Sequence, residues 1–103
     1  MKTDSHLELV NFYGLPHQLH HFASEVDELL EIVREAHNYT MFTGKPNTHY
    51  KEMIASEIAD CYNFIEQIRK KFEIESELVV KIMKEKNERQ LERKSRGVEK
   101  WMN

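Results

Sequence analysis

Residues 16–37 read PHQLHHFASEVDELLEIVREAH, and their apolar spacing sets the architecture. Leu19, Phe22, Ala23, Val26, Leu29, Leu30 and Val33 recur at three- and four-residue spacing, which places them on one stripe of an amphipathic helix. Pro16 suits the first turn of that helix, because its missing N–H would go unpaired there in any case. At about 100° per residue from Leu19, the stripe is centred near 0°. Asp27, Glu31 and Glu35 then fall at roughly 80° to 160°, on a solvated face. Glu25 falls near 240°, between Leu29 at about 280° and Ile32 at about 220°, with Glu28 beside it at about 180°. Glu25 thus interrupts an apolar surface and Glu28 borders it.

On the N-terminal side, Ser5 and Glu8 have the spacing of a capping box and predict a short first helix from Ser5. Gly14 and Pro16 break it and restart the chain. On the C-terminal side, residues 38–48 read as a loop, with Asn47 or Thr48 capping the next helix. That helix is expected over about His49 to Lys71, with Ile54, Ile58, Cys61, Ile65, Ile68 and Phe72 alternating like a coiled-coil seam. A break near Glu73 to Glu75 precedes a fourth helix, about Ser76 to Arg93, and Gly97 ends it. The expectation is a single all-α helical bundle over residues 1–97, with 98–103 as a tail that includes Trp101.

The third helix repeats the acidic pattern of the second. Measured from Ile54, Glu57 lies near 300° and Asp60 near 240°, interleaved with Met53 and Phe64 at about 260° and 280°. Each helix therefore presents an acid pair spaced i, i+3 on the edge of its apolar face. Either pair alone reads as surface charge partnered by Lys or Arg. Two pairs inside apolar faces need a compensating charge, because unneutralised buried carboxylates are expensive. A hard divalent cation with oxygen ligands supplies it, and Mg²⁺ keeps waters that leave room for phosphates and an attacking water.

Composition bounds the alternatives. Of 103 residues, 40% are hydrophobic and 32% charged, with only three Gly and two Pro, which favours long uninterrupted helices. The net charge of −3 gives no bulk attraction for nucleic acid. Cys61 is the only cysteine, so neither an internal disulfide nor a cysteine-based zinc site is expected, in keeping with a reducing cytoplasm. Met1 to Leu9 lacks the pattern of a signal peptide, and no stretch approaches the roughly 20 apolar residues of a membrane span. A domain this small hides only part of its apolar surface, so a homo-oligomer is expected.

Ser24-Glu25-Val26-Asp27-Glu28-Leu29 resembles the first acidic motif, ExxE, of the MazG-like nucleoside triphosphate pyrophosphohydrolases, and Glu57-Ile58-Ala59-Asp60-Cys61-Tyr62-Asn63 resembles the second, ExxD. Gln18 matches a glutamine often seen seven residues before the first motif. Ser24 stands where many members have glutamate, and His21 where many have lysine. The resemblance covers about residues 12 to 93. It implies a helical bundle assembled as a dimer or tetramer that cleaves a (d)NTP to (d)NMP and pyrophosphate in nucleotide-pool housekeeping. It implies Glu25, Glu28, Glu57 and Asp60 as ligands of Mg²⁺, with Mn²⁺ as a substitute, and as the catalytic carboxylates. Gln18, His21 and Asn63 are then candidate substrate contacts.

Lys86, Arg89 and Arg93 share a face of the last helix, at roughly 80°, 20° and 60° from Leu78. A cationic face suits a triphosphate, and Arg grips phosphate with two donors. Glu85, Glu88 and Glu92 alternate with them, as on a solvated helix end. His17, His20 and His21 read as surface residues. Thr43-Gly44-Lys45 lacks the glycine spacing of a P-loop and reads as a plain loop, and Tyr62 is expected to pack. Two other readings are phosphoribosyl-ATP pyrophosphatase, which uses a similar acidic scheme, and a non-catalytic helical dimerisation or regulatory module, which would leave the buried acids without a reason.

Overall fold

A computed structural model describes residues 4–97, among which all regular structure is helical. The helices are α1 (Ser5–Tyr13), α2 (Leu15–Thr43), α3 (Lys51–Lys71) and α4 (Ser76–Ser95), with a 3₁₀ turn at Thr48–Tyr50 ahead of α3. The all-α expectation holds for these residues. None of the helices is long and apolar enough to cross a membrane. The chain divides into two compact units, Met1–Phe72 and Glu73–Asn103, and the single domain expected over 1–97 spans both. The expected tail with Trp101 lies outside the described residues.

Capping of α1 differs from the capping-box reading. Asp4, not Ser5, is the cap: its Oδ1 accepts from the backbone N–H of His6 (3.1 Å) and of Leu7 (3.3 Å). A carboxylate there also opposes the positive end of the helix, which a serine hydroxyl does less well. Gly14 closes α1 and opens α2 at φ 88°, a conformation that costs a side-chain-bearing residue dearly.

Helix α2 runs 29 residues, six beyond the His37 end read from sequence. Apart from Met41, residues 38–43 are weak helix formers, yet tertiary contacts hold them in the last turns. Asn47 Nδ2 donates to the carbonyl of Ala36 (3.1 Å), and the Tyr39 ring meets His49 edge-on at 4.6 Å. The helix ends at Gly44, left-handed at φ 70°, whose N–H returns to Thr40 O. Of the two residues expected to cap α3, Asn47 or Thr48, neither caps through its side chain, and Asn47 spends its amide on α2.

In the first unit α3 packs against both α1 and α2. Val10, Ala36, Cys61 and Phe64 are buried, together with Gln18 and Gln67. The face that α2 buries is not the one read from its apolar stripe. Gln18, Phe22, Glu25, Leu29, Ile32 and Ala36 are buried or half-buried, an arc centred near 260° from Leu19. Leu19, Leu30 and Val33, at the stripe's centre and edge, stay 45%, 46% and 43% exposed. On α3, Ile65 and Phe72 of the expected seam are likewise exposed. Polar links tie α1 to α3: Lys70 Nζ donates to Asp4 Oδ1 (3.1 Å) and His6 Nδ1 (3.0 Å). The tautomer that accepts at Nδ1 leaves His6 Nε2 to donate to Asn63 Oδ1 (3.2 Å).

Beyond Phe72 the second unit begins with Glu73 at φ 54°, a left-handed position for a non-glycine residue. Helix α4 follows, starting at Ser76 as expected and extending two residues past Arg93.

Candidate functional site

The arcs that α2 and α3 bury each carry an acid near their middle. Glu25 lies at about 240° in an arc centred near 260°, and Glu57 at about 300° between buried Phe64 and Cys61. Packing the two helices therefore drives carboxylates together. Glu25, Glu28 and Glu57 each offer an oxygen within 4.8 Å of the other two. Glu25 and Glu57 are half-buried and Glu28 is exposed.

Oε2 of Glu25 and Oε2 of Glu57 are buried and lack any hydrogen-bond partner. The other oxygen of Glu25 lies 3.4 Å from His21 Nε2. Among the described residues, no lysine or arginine forms an ion pair with Glu25, Glu28, Glu57 or Asp60. Burial pushes the Glu25 carboxyl above its usual range, and the neighbouring charges of Glu28, Asp60 and Glu57 push it further. Asp60 is half-buried and lies outside the trio, although its charge reaches Glu25. Burial also raises the Cys61 thiol, helped by Glu25, Asp60 and Glu57. A raised carboxyl favours the protonated form of Glu25, and a hard divalent ion, which takes carboxylate and water ligands, is the other species able to offset charge at such a trio. Glu25, Glu28 and Glu57 are the residues that could hold such an ion.

Beside the trio lies a cleft of about 540 Å³, in which Ile32 and Met53 lie among the acids Glu28, Glu31, Glu35, Glu52 and Glu57. The remaining residues singled out from sequence are scattered. Gln18 is buried and donates through Nε2 to Gln67 Oε1, while its own Oε1 accepts from His17 Nδ1 (2.8 Å). His21 sits over Glu25, its ring edge-on to Phe64 at 4.9 Å. Asn63 faces His6. Lys86, Arg89 and Arg93 are exposed on α4, in the other unit. Tyr62, expected to pack, is 65% exposed. Thr43-Gly44 is a helix end rather than a loop.

Sequence reading missed a second cleft of about 550 Å³ near the end of α2, walled in part by Arg34, Asn38, Tyr39, Phe42 and Tyr50. The signal was present as three- and four-residue spacing from Glu35 through Asn38 to Phe42, hidden by ending the helix at His37. No family model, no curated protein and no solved structure matches this chain.

Proposed function

We propose that this protein is a Mg²⁺-dependent nucleoside triphosphate pyrophosphohydrolase, with Glu25, Glu28 and Glu57 as the core of its metal site and Asp60 as a fourth acid. The observation that carries the reading is the convergence of three carboxylates from two helices, two of them with a buried, unpartnered oxygen. The order and spacing of the two acidic motifs, which resemble those of the MazG-like enzymes, support the same reaction. A bound Mg²⁺ would supply Lewis-acid polarisation of the phosphate oxygens and offset their charge.

The chain's own residues have separable tasks under this reading. Glu25 and Glu57 are fixed by the packing of α2 on α3 and anchor the site from within. Glu28 is exposed, so it meets solvent and is the acid best placed to accept a proton from an attacking water. His21, against Glu25 Oε1, orients that carboxylate.

The proposed working form is a homo-oligomer, either dimer or tetramer. Leu19, Leu30 and Val33 form an exposed apolar stripe along α2, which a second copy would cover. That stripe also favours the second reading, a dimerisation module without catalysis. Pyrophosphate release from ribo- and deoxyribonucleoside triphosphates, with Mg²⁺ and with EDTA, separates the two. Mg²⁺-dependent release that Glu57→Ala abolishes is the expected result. A folded protein that releases nothing, and gains no thermal stability from millimolar Mg²⁺, would return the chain to the dimerisation module.

A further inference from the structure

His17 and His21 stand one turn apart on α2, so both imidazoles lie on the same side of the helix. Their ring centres are 6.4 Å apart, with the planes crossing at 78°. Each ring is held by a neighbour. His17 stacks on Tyr13 at 5.2 Å, and His21 lies edge-on to Phe64 at 4.9 Å. Both side chains nevertheless remain exposed, so solvent and small ions reach them.

Each ring has one nitrogen already engaged, and the engaged nitrogen differs between them. His17 Nδ1 donates to Gln18 Oε1 (2.8 Å). Gln18 is 6% exposed and its Nε2 donates to the buried Gln67, which fixes its oxygen as the acceptor. On the other ring, Glu25 Oε1 lies 3.4 Å from His21 Nε2 and draws the ring proton to that side. A neutral imidazole carries a single N–H, so the lone pairs remain on His17 Nε2 and His21 Nδ1. An amide oxygen or carboxylate that takes the ring N–H and leaves the other nitrogen bare is the usual setting of a metal-bound histidine.

We propose that His17 and His21 form a site for a borderline divalent ion, Zn²⁺ above all, bound through His17 Nε2 and His21 Nδ1 with waters completing the shell. A Zn–N bond of about 2.0–2.1 Å puts the ion roughly 3 Å from each ring centre, so two rings sharing it stand about 5–6 Å apart. The observed 6.4 Å is a small ring rotation away from that spacing. Imidazole suits Zn²⁺, Cu²⁺ and Ni²⁺, whereas Mg²⁺ takes oxygen ligands, so this pair and the carboxylate trio select different metals. The site stands independently of the pyrophosphohydrolase reading.

The test is calorimetric titration of the untagged full chain with Zn²⁺ at about pH 8, where neutral imidazole offers its lone pair. Millimolar Mg²⁺ is present throughout to contest the carboxylates. His17→Ala and His21→Ala should each weaken Zn²⁺ binding by at least the roughly tenfold that loss of an outer partner already costs. Both residues are exposed, so their replacement leaves helical content intact, which circular dichroism checks. His20→Ala, next to the pair, and Glu57→Ala should bind as wild type does. In side-chain nitrogen spectra, Zn²⁺ should shift His17 Nε2 and His21 Nδ1 in preference to the other nitrogen of each ring. Binding lost in Glu57→Ala but kept in both histidine variants places the ion among the carboxylates and overturns the site. Unchanged affinity in His17→Ala or His21→Ala, an equal loss in His20→Ala, or no Zn²⁺ uptake by folded wild type overturns it as well.

Discussion

Gln18 donates through Nε2 to Oε1 of Gln67 across 2.8 Å, with both side chains buried between α2 and α3. The Gln67 carbonyl thus satisfies a Gln18 donor in a seam that otherwise packs Phe22 on Phe64. Gln67→Leu strands the Gln18 donor and is expected to cost about 1–3 kcal/mol. In thermal unfolding that is roughly 4–8 °C of Tm per kcal/mol for a domain of this size. The double variant Gln18→Leu/Gln67→Leu should recover most of the loss, since no buried donor then lacks a partner. Equal losses in single and double variants would mean that the pair acts through more than mutual satisfaction.

Glu25 carries a second thermodynamic signature. Its carboxyl is held above the usual range, so the fold prefers it neutral. Stability from such a group is complete below its unfolded pKa and drains away as pH rises through the raised one. In EDTA, wild type should therefore lose Tm on passing from acid to neutral pH, and Glu25→Gln should flatten that decline. Near neutrality Glu25→Gln should melt roughly 4–8 °C higher, the effect of relieving about 1 kcal/mol of like-charge repulsion. Adding Mg²⁺ should raise wild type and leave the variant unmoved. A pH-independent Tm in EDTA would contradict the electrostatic account of the trio.

The opposite sign holds at the other end of the unit. Lys70 holds the Asp4 carboxyl below its usual range, with backbone donors of α1 adding to the effect. Stability from that group is present above its unfolded pKa and is lost as pH falls through the lowered one. Amide exchange in α1 should accelerate first on acidification, ahead of α2 and α3. Asp4→Asn, which keeps an acceptor for the helix cap, should remove the acid step in α1 alone.

Leu30 tests the assembly. It lies 46% exposed in the middle of the α2 stripe, away from the arc that meets α3. Leu30→Glu should leave helical content intact and shift sedimentation to monomer. A monomeric wild type with full activity would remove the second copy from the proposed function.

Element order was legible because apolar spacing and the breakers at Gly14 and Glu73–Glu75 are local signals. What misled was the choice between two neighbouring faces of α2. The stripe richest in Leu and Val is exposed, and the buried arc contains Gln18 and Glu25, residues that hydropathy counts against burial. Hydropathy cannot see the partner that Gln18 meets there, the Gln67 amide, nor His21 lying 3.4 Å from the Glu25 carboxylate. The extra turns of α2 were illegible for a related reason. Asn38 to Thr43 owe their helicity to Asn47, His49 and Tyr50, which approach only once the chain has folded back. That Glu25 and Glu28 share a side of α2, and Glu57 and Asp60 a side of α3, was legible because i, i+3 spacing fixes a common face whatever the packing partner; that Asp60 stays outside the trio was not. The aromatic cleft at Phe42 depended on a helix end that propensity placed too early.

Cys61 turns the seam into its own reporter. The thiol is 5% exposed and disfavoured as thiolate by burial and by the acids around it, so a soluble alkylating reagent finds neither access nor nucleophile in the closed state. Labelling then proceeds only through molecules in which α2 has parted from α3. Its rate measures how often that happens in native buffer, residue-specifically and without denaturant. With no second thiol in the chain to confuse the signal, a mass increase in the intact protein times the breathing of the carboxylate cluster directly.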